Sequence, residues 1–374
     1  MKRIAILFEY PSLNGGENSM LAVLQHLRDS ASCEAIALAP PTGQLGDRLA
    51  EQKIAHRPLS MFEDGGQRRD RSIVEQDIRE ALDQTQADLI HGNSLSMGRL
   101  LGRMSDSLSV PVTAHLRDII GLSGAAIRDL NRTSRLIAVS DATRSFHLNQ
   151  GMDADRIAVI HNGIDAKRFE CSEESRREMR QELGIPADAV VMLTAGQIGL
   201  RKGLNTLAEA AVRLSDSLPG LHWMLAGERF STKAESIEFE HSIDAAFRSA
   251  EPRLTYHRLG WRSDMPRVMS AADVLVHAAR QEPLGRVILE ASAAGLAIVA
   301  TDVGGTSEIV QHGESALLVP ADEPGMLAEQ VGRFVESPDM RSHFGNAACE
   351  RIREEFPIDR SAHLLADIWM ECCS

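Results

Sequence analysis

The sequence alternates short apolar runs with amphipathic segments of helical period along almost its whole length. Each run has the length of one strand, is bounded by turn residues, and is typical of a strand buried on both faces. Helical segments such as 18–29 and 73–84 follow several runs, which predicts βαβ units and an open parallel sheet. The predicted strands are 3–9, 33–39, 88–92, 110–115, 135–140, 156–161, 189–196, 221–227, 253–260, 273–279, 296–302 and 315–320.

So many strands exceed what one doubly wound sheet holds in a chain of 374 residues, so the fold class is α/β with two Rossmann-like domains. We place the N-terminal domain at 1–168 and the second at 169–355, because a polar helix at 172–186 opens a fresh series of strands. Residues 356–374 begin with a Phe-Pro break and regain a helical period. They predict a C-terminal helix that can pack on either domain, including back on the N-terminal one.

Composition excludes several classes of protein. The formal net charge of −13 argues against nucleic acid as a partner, and the basic cluster 67–71 favours a solvated loop over a lipid contact. The five cysteines show neither metal-ligand spacing nor a disulfide framework. No run is long enough to cross a membrane, and the first run, interrupted by Glu9, predicts a buried strand instead of a signal peptide. These features favour a cytoplasmic protein with reduced thiols.

Two loops that follow predicted strands combine glycine with polar or basic residues. In doubly wound sheets, ligands bind beyond the carboxyl ends of the strands, near helix N-termini. Loop 14–17, Asn-Gly-Gly-Glu, fits a plain tight turn and a close backbone approach to a ligand equally well, and it lacks the dinucleotide fingerprint. Arg201 and Lys202 precede a helix predicted to begin at Gly203. Basic residues usually avoid that position, so the pair favours an anion site over solvated surface charge.

The stretch 280–295 places two carboxylates on either side of a glycine turn. Gly285 lies where a helix is predicted to begin, and Glu290 follows about 7.5 Å further along its axis, roughly the distance from a phosphate to a ribose. Glu282 lies before the turn, where the group on the far phosphate would be. Such a pair of acids is often solvated surface, so the strand-turn-helix context carries the interpretation. The loop 301–310 adds Gly-Gly-Thr at another predicted helix start.

Taken in order, these segments resemble the retaining glycosyltransferases of the GT-B fold, in particular family 4 (glycosyl transferases group 1). The resemblance covers nearly the whole chain. It is carried by HGNSLS (91–96), AHLRD (114–118), AVSDATR (138–144), VIHNGID (159–165), TAGQIGLRKG (194–203), EPLGRVILEASAAGLAIVATDVGG (282–305) and ESALLVP (314–320). It implies two Rossmann-like domains facing a central cleft, with the nucleotide sugar on the C-terminal domain and the acceptor on the N-terminal domain.

The resemblance also implies roles for single residues. Glu290 is implied to bind the ribose, and the base is implied to lie near Trp261 and Arg262. His115 and Glu282 are implied to be catalytic, with Glu282 holding a sugar hydroxyl and balancing positive charge. Without the resemblance, a structural histidine is the simpler interpretation of His115. The implied diphosphate-binding residues are Gly16, Arg201, Lys202, Gly285 and Arg286.

Two positions depart from the pattern of the family. Members commonly have an arginine where this chain has Gln197, and an aromatic residue where it has Leu284. The first change removes a positive charge from the diphosphate site, and Arg286 is a candidate to replace it. Neither change removes a group whose chemistry is indispensable.

The predicted reaction is transfer of a hexose, with retained configuration, from a nucleotide-diphosphate donor to an acceptor hydroxyl. A UDP-sugar is favoured over a GDP-sugar, and the acceptor is expected to be a glycan or a lipid-linked intermediate in cell-surface polysaccharide or glycolipid synthesis. The donor loops lack an Asp-x-Asp motif, so no metal or other cofactor is expected. Peripheral contact with the inner face of the membrane is compatible with this assignment. The alternatives are a sugar-nucleotide epimerase or phosphorylase on the same fold, and a non-catalytic nucleotide-sugar-binding protein.

Overall fold

The computed structural model describes residues 1–30 and 33–374. Its internal contacts divide the chain into two compact units, the first made of Met1–Gly163 and Phe356–Ser374 and the second of Ile164–Glu355. The first boundary thus lies at Gly163, a few residues before the predicted position 168. The reason is that the turn Ala166–Phe169 packs against helices of the second unit, where it buries the ring of Phe169.

The first unit is built on a sheet of seven strands among the described residues, all paired in parallel. The strands are β1 (Arg3–Leu7), β2 (Glu34–Ala39), β3 (Ala55–Pro58), β4 (Leu89–Gly92), β5 (Val112–Leu116), β6 (Arg135–Ala138) and β7 (Ile157–Val159). The helices between them are α1 (Gly15–Asp29), α2 (Gln44–Glu51), α3 (Arg71–Thr85), α4 (Leu95–Met104), α5 (Gly124–Leu130) and α6 (Asp141–Asn149). The spatial order β3-β2-β1-β4-β5-β6-β7 places the topological switch point between β1 and β4.

The second unit repeats this plan with six parallel strands among the described residues. The strands are β8 (Val191–Ala195), β9 (Leu221–Ala226), β10 (Leu254–Gly260), β11 (Val274–His277), β12 (Ala297–Thr301) and β13 (Leu317–Val319). The helices are α7 (Glu173–Leu183), α8 (Leu204–Ser217), α9 (Ala234–Ser249), α10 (Met265–Ala271), α11 (Arg286–Ala293), α12 (Thr306–Ile309), α13 (Pro324–Glu336) and α14 (Pro338–Glu355). The order β10-β9-β8-β11-β12-β13 is that of a Rossmann sheet, with its switch point between β8 and β11.

The prediction of two doubly wound parallel sheets is confirmed, and every predicted strand forms. Strand β3 is the one strand of the described range that the apolar pattern missed. It reads Ala-His-Arg-Pro, lies at the edge of its sheet and keeps all of its side chains at least partly exposed. An edge strand needs no apolar side chains on both faces, so it leaves no continuous apolar run in the sequence.

The last helix, α15 (Ile358–Cys372), belongs to the core of the first unit. Its residues Leu365 and Trp369 are buried in one cluster with Ile4 of β1 and Leu24 of α1. A large apolar side chain contributes about 1.5–3 kcal/mol when it is fully buried. This apolar face is therefore enough to fix the C-terminal segment on the sheet that the N-terminus begins.

Neither a disulfide nor a helix able to span a membrane is found among the described residues. All five cysteines are free thiols in this structure. Across residues 1–30 and 33–374, no helix combines the length and the apolar composition needed to cross a bilayer.

Candidate functional site

The loop that follows β8 lies against the end of β11, at the switch point of the second unit. It passes through the turn Leu200–Lys202 to Gly203, whose φ of 60° is in the left-handed region, and then enters α8. A Cβ atom on Gly203 would lie 1.8 Å from the carbonyl oxygen of Ala278. Only glycine therefore lets this loop approach the end of β11 so closely.

We expect Gly203→Ala to lower the free energy of unfolding by about 3 kcal/mol or more, because the collision adds to backbone strain. Gly184, at the end of α7, is the matched control. Its φ of 66° is nearly the same, but nothing lies within 4 Å of its missing Cβ. Gly184→Ala should cost only the strain of about 1–2 kcal/mol. Urea unfolding of both variants measures the difference, and equal costs would show that the contact with Ala278 is not tight.

Close to this glycine, three charged or titratable side chains meet at one carboxylate oxygen. Oε2 of Glu282 accepts from Nζ of Lys202 at 2.5 Å and lies 2.9 Å from Nε2 of His277, the last residue of β11. Burial alone would raise the pKa of Glu282. The Lys202 ammonium and the His277 hydrogen bond outweigh this effect and hold the pKa far below its usual value of 4.5. Glu282 is therefore an ionised carboxylate in a nearly closed environment, with 6% exposure.

The second carboxylate oxygen of Glu282 is open. Both side-chain hydrogen bonds that Glu282 forms in the described part of the chain use Oε2, and neither uses Oε1. The backbone carbonyl of Glu282 accepts from the N–H of Gly305 at 3.0 Å, which ties it to the Gly-Gly loop after β12. The carboxylate is thus held rigidly, with one oxygen left to accept a hydrogen bond from a ligand.

Arg201 is exposed, and its guanidinium forms no ion pair or side-chain hydrogen bond with any described residue. The loop that carries it is braced by Arg280. The backbone N–H of Arg280 donates to the carbonyl of Arg201 at 2.8 Å, and its Nη1 donates to the carbonyl of Leu200 at 2.9 Å. Nε of Arg280 pairs with Asp322 at 2.7 Å. The charge of Arg280 is therefore paired within the unit, whereas the guanidinium of Arg201 faces solvent.

Arg286 and Glu290, the residues of α11 predicted to bind the diphosphate and the ribose, form an ion pair with each other. Gly285, with a φ of 113°, begins the helix, and Nε of Arg286 lies 2.7 Å from Oε1 of Glu290 one turn later. The carboxylate of Glu290 is therefore already paired within its own helix. Gln197, in place of the usual arginine, is exposed and offers no charge to the site.

The structure separates the roles of the two residues predicted near the base. Trp261 is 36% exposed, and its backbone N–H donates to Glu228 at 3.3 Å. Arg262 makes a bidentate pair with Asp264 at 2.8 and 2.7 Å, which raises its pKa, and it lies 3.7 Å from Glu182. The guanidinium thus secures the start of α10, and Trp261 is the open group of this pair.

In the first unit, His115 lies at the end of β5 in a row of buried rings. Its Nδ1 is 2.7 Å from Nε2 of His91 on β4, and the ring of His91 contacts the indole of Trp369 on α15. His115 is 4% exposed and His91 is fully buried. Burial, followed by the charge of Arg117, lowers the pKa of both histidines well below 6.5. Both rings are therefore neutral at pH 7.

Gly16 lies in the first turn of α1 and makes room for Arg117. A Cβ on Gly16 would lie 3.0 Å from Cδ of Arg117. The guanidinium of Arg117 donates to the carbonyl and the side chain of Asn93 at 3.1 and 3.0 Å, and to Asn162 at 3.0 Å. The Gly-Gly pair after β1 is therefore a helix start packed against an arginine at the switch point of this unit.

Sequence reasoning missed His91, His277, Arg117 and Arg280. A signal existed for the two histidines, because each is a polar residue at or near the end of a strand that is otherwise apolar. Such a residue at the carboxyl end of a buried strand points to the ligand-binding edge of a doubly wound sheet. The two arginines gave no comparable signal, since their partners are distant in sequence.

Two family models match the chain, each over most of one unit. The model described as Glycosyltransferase Family 4 matches residues 13–168, and that of Glycosyl transferases group 1 matches residues 175–351. The chain belongs to the family 4 (group 1) glycosyltransferases. The family that the sequence resembles is thereby confirmed.

Several curated proteins are similar to this family 4 member. Spore coat protein SA of Bacillus subtilis is 25% identical over 199 residues, 53% of this chain and 52% of that protein. The lipopolysaccharide core biosynthesis glycosyltransferase LpsE of Rhizobium meliloti is 29% identical over 178 residues, 47% and 48% of the two chains. The D-inositol 3-phosphate glycosyltransferase of Saccharomonospora viridis is 32% identical over 207 residues, 53% and 46%. The chain thus spans about half the length of the curated relatives it matches.

Solved structures share the fold. The HepE protein of Anabaena, solved in complex with UDP-glucose, has a TM-score of 0.86 and 23% identity, over 99% of this chain and 100% of that one. A glycosyltransferase from Rickettsia africae has a TM-score of 0.82 and 17% identity, over 99% and 98%. These similarities confirm the predicted GT-B fold.

Proposed function

We propose that this family 4 member transfers a hexose from a UDP-sugar to an acceptor hydroxyl, with retention of the anomeric configuration. The observation that carries the proposal is the ionised carboxylate of Glu282, which pairs with Lys202 through one oxygen and leaves the other without a described side-chain contact. Arg201, directly before Lys202 in the same loop, adds an exposed positive charge. The similarity to HepE, which was solved with UDP-glucose, supports UDP over GDP as the first donor to test.

In the proposed reaction, each charged residue of the candidate site in the second unit acts on one part of the donor. Departure of the diphosphate leaves an oxocarbenium-like centre on the sugar and negative charge on the phosphates. We assign Arg201 and Lys202 to the phosphates, since fixed charges of this kind usually supply the largest catalytic contribution. Oε1 of Glu282 would accept a sugar hydroxyl, and its negative charge would balance the positive centre.

The proposed step balances without a protein nucleophile. The bond from the anomeric carbon to the diphosphate oxygen breaks, and its electron pair goes to the diphosphate. The acceptor oxygen bonds to the same face of the sugar, and its proton passes to an oxygen of the leaving phosphate. No metal ion is part of the proposal.

We assign the acceptor to the first unit, with His115 as its catalytic residue. The proposed acceptor is a glycan or a lipid-linked sugar in cell-surface polysaccharide or glycolipid synthesis, which would bring the protein to the inner face of the membrane. The relative LpsE, named for lipopolysaccharide core biosynthesis, supports this class of acceptor.

The donor site is tested by thermal unfolding with UDP, GDP, ADP and NAD at matched concentrations. A nucleotide at 100 times its Kd should add about 2.7 kcal/mol to the free energy of unfolding. We expect this effect from UDP, and we expect it to weaken in Glu290→Ala but not in Glu314→Ala, which alters an exposed carboxylate. Stabilisation by NAD alone would indicate an oxidoreductase and overturn the proposal. Release of UDP only when acceptor is present would separate a transferase from an epimerase.

A further inference from the structure

The indole of Trp369 determines which nitrogen of His91 carries the proton. Nε1 of an indole is a donor only, and it lies 3.3 Å from Nδ1 of His91, so that nitrogen must offer its lone pair. The hydroxyl of Thr113 lies 2.8 Å from the same nitrogen and can donate to it as well. Because burial keeps His91 neutral, its one ring proton is on Nε2.

The same reasoning extends to His115. Nε2–H of His91 faces Nδ1 of His115 at 2.7 Å, so Nδ1 of His115 is the acceptor of this hydrogen bond. A neutral His115 then carries its proton on Nε2. The one side-chain hydrogen bond of His115 with the described residues is made through Nδ1, so the protonated Nε2 is the open nitrogen.

We propose that Trp369 of the C-terminal helix, acting through His91, holds His115 in the tautomer that presents an N–H donor from Nε2. Trp369 is a positioning residue, whereas His115 contacts the reactants. A sugar hydroxyl or a phosphate oxygen can accept a hydrogen bond from this N–H. The other tautomer would present a lone pair to the same oxygen. The assignment of reactants to His115 rests on the proposed function; the tautomer does not.

Through Trp369, helix α15 orients the hydrogen bonds of the two histidines in addition to packing in the core. The indole is fully buried, and Trp369 is distant in sequence from both histidines. An apolar ring would fill the same space in the core. The indole N–H adds a direction to the row of hydrogen bonds, and that direction is what a phenylalanine cannot supply.

The test compares the full-length protein with Trp369→Phe, which keeps a ring in the core but removes the N–H. Long-range proton–nitrogen NMR of protein labelled with ¹⁵N-histidine reports the tautomer without any substrate. In the wild type we expect the proton of His115 on Nε2. In the variant, His91 is free to donate from Nδ1 to Thr113, so His115 should shift towards the tautomer protonated on Nδ1. We expect turnover of the UDP-sugar to fall about tenfold, or about 1.4 kcal/mol, while the Kd of UDP stays within twofold.

Two further variants make the test specific. In His91→Gln, the side-chain amide donates to His115 without the indole, so adding Trp369→Phe should cause no further loss of turnover. Leu364→Ala alters an exposed residue on the same helix and should change neither the NMR signals nor turnover.

A proton on Nδ1 of His115 in the wild type, or an unchanged tautomer in Trp369→Phe, would overturn the inference. A changed tautomer with unchanged turnover would overturn its bearing on the reaction. If no nucleotide sugar is turned over by the wild type while the tautomer responds as expected, the proposed function fails and the hydrogen-bonded row stands.

Discussion

Replacing Glu282 by glutamine should lower turnover by at least 100-fold, about 2.7 kcal/mol of transition-state stabilisation. Glutamine fills the same space and can still accept a hydrogen bond from His277 or Lys202. It cannot supply the negative charge that we assign to the oxocarbenium-like centre. Turnover is measured as UDP release under saturating donor, so that a change in donor affinity does not contribute.

The fold and the diphosphate site serve as internal controls for Glu282→Gln. Arg201, Lys202 and Glu290 are unchanged in this variant, so UDP should still raise its unfolding temperature. Glu314→Gln, an exposed carboxylate in the same unit, should leave turnover as in the wild type. A loss of less than about tenfold, roughly 1.4 kcal/mol, would contradict the role assigned to Glu282.

The fold was predictable because a parallel strand covered on both faces must be apolar along its whole length. Strands β1 and β12, for example, are buried almost throughout and read as unbroken apolar runs. The division into two units followed from the number of such runs. The exact position of the boundary between the units did not follow from the sequence, because the turn Ala166–Phe169 joins the second unit through contacts that no local pattern shows.

The site was predictable where function restricts a residue type at a strand end. Glycine at position 203 and the basic pair before it mark a loop that must come close to a neighbouring strand. The contacts between site residues that are distant in the fold pattern were not predictable from the sequence. His277 on Glu282 and Trp369 beside His91 are contacts set by packing, which sequence spacing does not show, whereas Arg286 and Glu290 lie four residues apart on one helix and their pairing follows from that spacing.

Lys202→Met should destabilise the second unit by about 3 kcal/mol at pH 7.5, because it leaves the carboxylate of Glu282 buried without its countercharge. Hydrogen exchange of the β11 amides in urea reports unfolding of this unit. The double variant Lys202→Met/Glu282→Gln should recover much of the loss, since neither charge then remains. A double variant as unstable as Lys202→Met would show that the lost lysine packing, and not the unpaired charge, is the cause.

The pH dependence of this loss follows from Glu282. In the wild type its pKa is far below 4.5, so its stabilising contribution is present above pH 4.5 and is lost as the pH falls through the folded-state pKa. Without Lys202, burial should raise its pKa above 4.5, so its contribution is present at low pH and is lost as the pH rises through the folded-state pKa. The penalty of Lys202→Met should therefore be smaller at pH 5.0 than at pH 7.5. Protonation of His91 and His115 in the other unit is common to both proteins and cancels in the comparison. A penalty that is equal at the two pH values would mean that Glu282 does not depend on Lys202 for its charge, and the ion pair could not then be the element that prepares this site for a diphosphate.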